Sequence, residues 1–187
     1  DYDSNGTGTQ SNIDNYIIEV RALGGYDINV TNSLRLTPYI GFGYRYLKDD
    51  RDGDRSSTGA LGYKRESNYY YSPIGIEAVN TFKKGWSAGL ILEYDYFWKG
   101  TQENYFGGDI DDGFDNDQDS GYGLRGSIII KKQTDWAFYV VEPFIRYWKI
   151  DKSDNYFFFD NSGNIIVYAW EPRNETTEIG VKFRIGY

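Results

Sequence analysis

Ionisable side chains fall on alternate positions of otherwise apolar segments: Glu19, Arg21, Arg35, Arg45, Glu77, Glu93, Asp95, Arg125, Lys131, Glu142, Arg146, Glu178, Lys182 and Arg184. Both signs recur. In a confined interior isolated charges are expensive, so such groups are expected to form paired, hydrogen-bonded networks. A network of this kind either plugs an interior or lines a narrow path for an ion or small solute.

A second concentration is the run Gly108–Ser120, GDIDDGFDNDQDS, which carries Asp109, Asp111, Asp112, Asp115, Asp117 and Asp119. Carboxylate oxygens at this density suit a hard cation such as Ca2+. The run lacks the sixth-position glycine and closing glutamate of an EF-hand loop. The opening Asp1-Tyr2-Asp3-Ser4-Asn5-Gly6 matches only the first half of that pattern. A solvated acidic loop competes with the calcium reading.

The absences matter as much. The chain contains neither histidine nor cysteine, so Ser-His-Asp and Cys-His catalysis are impossible with its own residues, as are disulfides and thiolate metal sites. Net charge is −8, which opposes the phosphate neutralisation on which non-specific nucleic-acid binding rests. No catalytic residue is assigned, and no enzyme is expected unless sequence upstream supplies a histidine.

The elements carrying the charges alternate with period two. In Trp86–Trp98, Trp86, Ala88, Leu90, Leu92, Tyr94, Tyr96 and Trp98 oppose Ser87, Gly89, Glu93 and Asp95. The same pattern predicts strands over Asn15–Tyr26, Leu34–Leu47, Tyr70–Ala78, Tyr122–Ile130, Tyr139–Tyr147 and Thr177–Tyr187. That is seven long strands in one domain, residues 1–187. No run of about eighteen apolar residues encodes a membrane helix, but a barrel strand needs only about 9–11 residues of alternating character.

A soluble sandwich or lipocalin-like barrel also alternates. Three features favour a membrane barrel. Glycine mixes with ionised residues on the polar face, where a narrow interior is short of space. Tyr16, Tyr26, Trp86, Trp98 and Tyr187 stand near segment ends, as girdles at two membrane interfaces would. The connections alternate between short (27–33, 80–85, 132–135) and long (48–67, 99–121, 151–175), the arrangement of periplasmic turns opposite extracellular loops.

The last strand ends in an aromatic residue preceded by apolar residues at every second position, Phe183, Ile185 and Tyr187. This resembles the C-terminal insertion signal of small Gram-negative outer-membrane β-barrel proteins. The resemblance implies an antiparallel up-and-down transmembrane barrel, recognised by the barrel assembly machinery and surrounded by outer-membrane lipid and lipopolysaccharide. It also implies a periplasmic C-terminus and long loops facing outward, where divalent ions would bridge loop carboxylates to lipopolysaccharide. Barrel enzymes of this kind use an active-site histidine, which this chain lacks.

Single-chain bacterial barrels have an even strand number, so seven strands lead us to expect one or three more upstream and a complete barrel of eight or ten. Within the last long connection, 155–159 and 165–170 flank the turn Asp160-Asn161-Ser162-Gly163-Asn164 and read as a hairpin extending the neighbouring strands, with Phe157–Phe159 either offered to an extracellular protein partner or packed within the loop. Pro38, Pro73 and Pro143 fall inside strands, where bulges are expected to absorb the missing N–H. The functional expectation is a non-enzymatic structural or surface-interaction barrel, with a narrow channel or transporter as the alternative.

Overall fold

The computed structural model describes residues 2–4, 8–10, 14–51, 54–59, 62–105, 114–159 and 162–187. Seven long strands follow one another: β1 Asp14–Gly25, β2 Leu34–Asp50, β3 Lys64–Thr81, β4 Trp86–Tyr105, β5 Gly121–Gln133, β6 Phe138–Ile150 and β7 Asn174–Gly186. Each pairs antiparallel with its chain neighbour, giving the order β1-β2-β3-β4-β5-β6-β7. Among the described residues β1 and β7 are the edges, and no bridge joins them.

The sheet curls, because period-two side chains from distant strands meet on its concave face. The convex face is apolar and uncovered: Val20, Leu92, Ile128, Ile179, Phe183 and Ile185 are all exposed there. The only helical element described is a single 3-10 turn, Lys83–Gly85, and no helix is long and apolar enough to cross a membrane.

Strands extend further into the long connections than periodicity suggested. β3 begins at Lys64, β4 continues to Tyr105, and Phe114–Gln118 pairs with β4 in the register that β5 keeps lower down, Gly100↔Gln118 above Tyr96↔Tyr122. Part of the acidic run is therefore strand. Asp115 and Asp117 point out while Asn116 and Gln118 are buried, an alternation masked by uniform polarity on both faces.

A bulge sets the facing of this upper region. Tyr70 pairs with Lys99 and Tyr71 with Phe97, leaving Trp98 as the extra residue. Trp98 and Lys99 both point outward, so the inward series changes from Glu93, Asp95 and Phe97 to Gly100, Gln102 and Asn104.

Two expectations need correction. The segments Tyr156–Phe159 and Ile165–Ala169 form their own two-stranded sheet and do not extend β6 and β7, since irregular backbone at 151–155 and 170–173 separates them. The prolines are not housed in bulges either. Pro73 and Pro143 stay paired with Asp95 and Val181 on one side, and on the other the ladder lapses locally without a register change. A strand residue directs its N–H to one neighbour only, so one ladder bears the loss.

Candidate functional site

Glycine and aromatic residues shape the concave face together. Gly43 pairs directly with Tyr71, and Gly75 with Tyr39. A Cβ on Gly43 would lie 2.2 Å from the Tyr71 ring, and one on Gly75 would lie 2.3 Å from the Tyr39 ring. Each ring lies over the glycine opposite it, turning a large side chain along the wall of a narrow interior. Phe144 over Gly180 and Phe138 over Gly186 repeat the device on β6 and β7.

The charged side chains occupy the remaining space. Arg146 on β6 donates to Glu19 on β1 and, at 3.2 Å, to Asp95 on β4. Glu19 also meets Arg45 at 3.4 Å and accepts the Tyr71 hydroxyl. Arg45 reaches Glu178 on β7. Arg21 binds Glu93, which accepts the Tyr39 hydroxyl at 2.7 Å and faces Arg125 at 3.8 Å.

Arg21, Arg45, Arg125 and Arg146 thus face Glu19, Glu93, Asp95 and Glu178 in equal numbers. Trp148 supports the cluster, 4.9 Å from the Arg146 guanidinium and edge-on to Tyr71 at 5.0 Å.

The other charges form smaller groups nearer the short turns. Glu142 receives Lys182 at 3.4 Å and Arg184 at 3.0 Å. Arg35 bridges Glu77 at 3.1 Å and Asp27 at 3.3 Å. Lys131 lies 4.8 Å from the Phe138 ring. Tyr39, Tyr71 and Trp148 are network members that sequence reasoning left unassigned, because only charged and small residues were named on the polar face. Their placement opposite or beside inward glycines was the available signal.

Towards the long connections a hydrophobic layer, Tyr69, Tyr71, Phe97, Trp148 and Ile150, underlies a buried polar cap. Ser67 donates to Gln102 at 3.2 Å, Gln102 to Asn104 at 3.3 Å, and Asn116 to the Asp154 carbonyl at 3.0 Å. Glu171 sits in this cap, tied through its backbone to Ser153. Burial raises its carboxyl to about 7 against the hydrogen bonds of Gln102 and Asn104 and the charge of Arg51.

Of the acidic run, Asp115, Asp117 and Asp119 are described, and Asp117 pairs with Lys99. Asp109, Asp111 and Asp112 lie outside the described residues, as do Asp1, Asn5 and Gly6 of the opening run, and Asp160 and Asn161 of the hairpin turn. Among the described residues no three acidic side chains converge as metal ligands. Tyr16, Tyr26, Trp86, Trp98 and Tyr187 are all exposed, joined at the short-turn end by Trp136, which packs edge-on to Tyr139. On the separate hairpin Phe157, Tyr168 and Trp170 are exposed and in ring contact.

Residues 1–146 match the family model described as Autotransporter beta-domain. No curated protein matches the chain.

Proposed function

The chain belongs to the autotransporter β-domain family and is a transmembrane β-barrel of the bacterial outer membrane, and on that premise we propose a non-enzymatic scaffold that presents long acidic and aromatic loops at the cell surface. The observation that supports this most is the interior: Glu19, Arg45, Arg146 and Asp95 interlock from strands on different sides of the curl. Such contacts fill the space that a wide pore would need. The long-connection end then faces outward and the β7 terminus inward to the periplasm. The exposed rings of Phe157, Tyr168 and Trp170 supply the surface for an extracellular protein. Planar-bilayer recording tests the plug. The wild-type barrel is expected to give no resolvable conductance, and steady single-channel steps would overturn this reading.

A narrow ion path is the second reading. It is favoured by buried interior atoms that make no hydrogen bond among the described residues, among them Glu93 Oε1, Asp95 Oδ1, Ser127 Oγ and Arg146 Nε. Polar atoms of this kind can serve a permeating ion. Neutralising Arg45 or Glu93 would then change the charge selectivity of a measurable current.

A further inference from the structure

A cavity of about 230 Å³ lies on the concave face at the short-turn end, apart from the Arg146 cluster and open to water. One lateral row of the sheet forms its floor: Thr81 at the end of β3 pairs with Ser87 on β4, and Ser87 pairs with Lys131 on β5. Arg35 on β2 stands beside this row, opposite Val79. The 27–33 connection supplies the remaining wall through Thr31, Asn32 and Ser33. That connection is fixed in place: the Val30 N–H donates to the Leu34 carbonyl at 2.9 Å, and the Thr81 N–H donates to the Ser33 carbonyl at 2.8 Å.

The walls hold a surplus of donors. Among the described residues no acidic side chain lines the cavity. Lys131 forms no ion pair among those residues; its ammonium lies 4.8 Å from the Phe138 ring, which leaves its N–H groups available. Arg35 directs one N–H to Glu77 at 3.1 Å and one to Asp27 at 3.3 Å, and a guanidinium has five. The hydroxyls add to the surplus. Thr31 Oγ1 accepts the N–H groups of Ser33 and Leu34, and Thr81 Oγ1 accepts from Ser87 Oγ at 3.3 Å. With these oxygens serving as acceptors, their own hydrogens are left for a further acceptor. If Thr31 passes its hydrogen to Ser33 Oγ at 3.3 Å, the Ser33 hydrogen is freed in its place.

We propose that this cavity binds a phosphate group, free or esterified, with Lys131 and Arg35 as its counter-charges and the hydroxyls of Thr81 and of the Thr31–Ser33 pair as further donors. Donors enter from β2, β3, β5 and the 27–33 connection, so the several oxygens of a tetrahedral anion each meet one. A planar carboxylate presents only two oxygens and leaves part of the set unused. The guanidinium fork and the lysine ammonium are the side chains best matched to phosphate. A water occupies about 30 Å³ in the liquid, so the cavity holds one such group with a few waters. The bound anion joins the β1–β2 connection to β5 and stabilises the short-turn end by mass action. This inference goes beyond the scaffold reading and does not depend on which end of the barrel faces the periplasm.

The full protein in a non-ionic detergent at fixed ionic strength would be titrated calorimetrically with inorganic phosphate and, separately, with a soluble short-chain phosphatidylglycerol. Saturable binding is expected; binding of inorganic phosphate marks a soluble source, and binding of the lipid alone marks a headgroup. Lys131→Gln should weaken it at least about tenfold, the scale of one charge-assisted hydrogen bond. Thr81→Val should weaken it less, and Lys83→Gln, which removes a cation of the neighbouring turn outside the cavity, should leave it unchanged. Saturating ligand should also raise the thermal midpoint of the wild type and not that of Lys131→Gln. No saturable binding of either probe would overturn the proposal. So would equal weakening in Lys83→Gln and Lys131→Gln, the mark of diffuse attraction. If Lys131→Gln does not fold, the comparison of Thr81→Val with Lys83→Gln still decides. Heat-modifiable mobility on the same samples reports the barrel itself, so a folded barrel without binding counts against this site alone.

Discussion

Arg146 on β6 donates to Glu19 on β1, 127 residues away in sequence, and this contact crosses the concave face between strands separated by the rest of the sheet. It ties one edge strand to the neighbour of the other. Arg45 on β2 and Glu178 on β7 make the reciprocal connection. The curl is thus held by charge as well as by the ladders.

Removing Arg146 leaves Glu19 and Asp95 without their principal cation. Arg146→Met is expected to destabilise the barrel by about 3–5 kcal/mol, the range for breaking a buried pair. The double variant Glu19→Gln/Arg146→Met should recover part of that loss, because contacting residues are not additive. Urea titrations in a fixed lipid or detergent would measure both.

Gly43→Ala places a methyl in the Tyr71 ring, whereas a Cβ at Gly126 meets its nearest neighbour, Ile145, at 3.8 Å. The first substitution should cost about 1–3 kcal/mol through overpacking. The second should change stability by no more than about 0.5 kcal/mol. Comparable losses at both positions would show that the ring does not lie over Gly43.

Leu92 is 55% exposed on the convex face of β4, midway between the exposed rings of Trp86 and Trp98. In a bilayer Leu92→Arg is expected to cost about 2–4 kcal/mol, as for a cation near the midplane of a barrel's lipid face. On a water-facing surface the same change would be nearly neutral. Equilibrium unfolding in vesicles separates the two.

Burial holds the Glu171 carboxyl at about 7, above the ordinary 4.5. A carboxyl raised in the folded state binds more protons there than when unfolded. Its contribution to stability is therefore fully present below the ordinary value and is lost as pH rises from there through about 7. Thermal midpoints of the wild type should fall across that window more steeply than those of Glu171→Gln. Parallel profiles would contradict the assignment.

The seven strands and the inward positions of Glu93, Asp95 and Arg146 were legible from alternation alone. The cap was not. Gln102, Asn104, Asn116 and Gln118 lie in segments that are polar on both faces, so no periodicity marks them as strand or shows which side faces in. Tyr39, Tyr71 and Trp148 were left unassigned for a different reason, since an aromatic ring suits lipid and a packed interior equally.

The sequence by itself determined the period, the order of the strands and the outer-membrane barrel class, because one apolar face and chain-neighbour pairing depend only on local spacing. Tertiary structure alone decided the partners of the charges and the facing of the upper strands. Glu19 finds Arg146 only when the sheet curls, which brings together side chains that no local rule relates. Gln102 turns inward only because the bulge at Trp98 shifts the alternation by one residue, a shift visible in the pairing of two strands and not in either one.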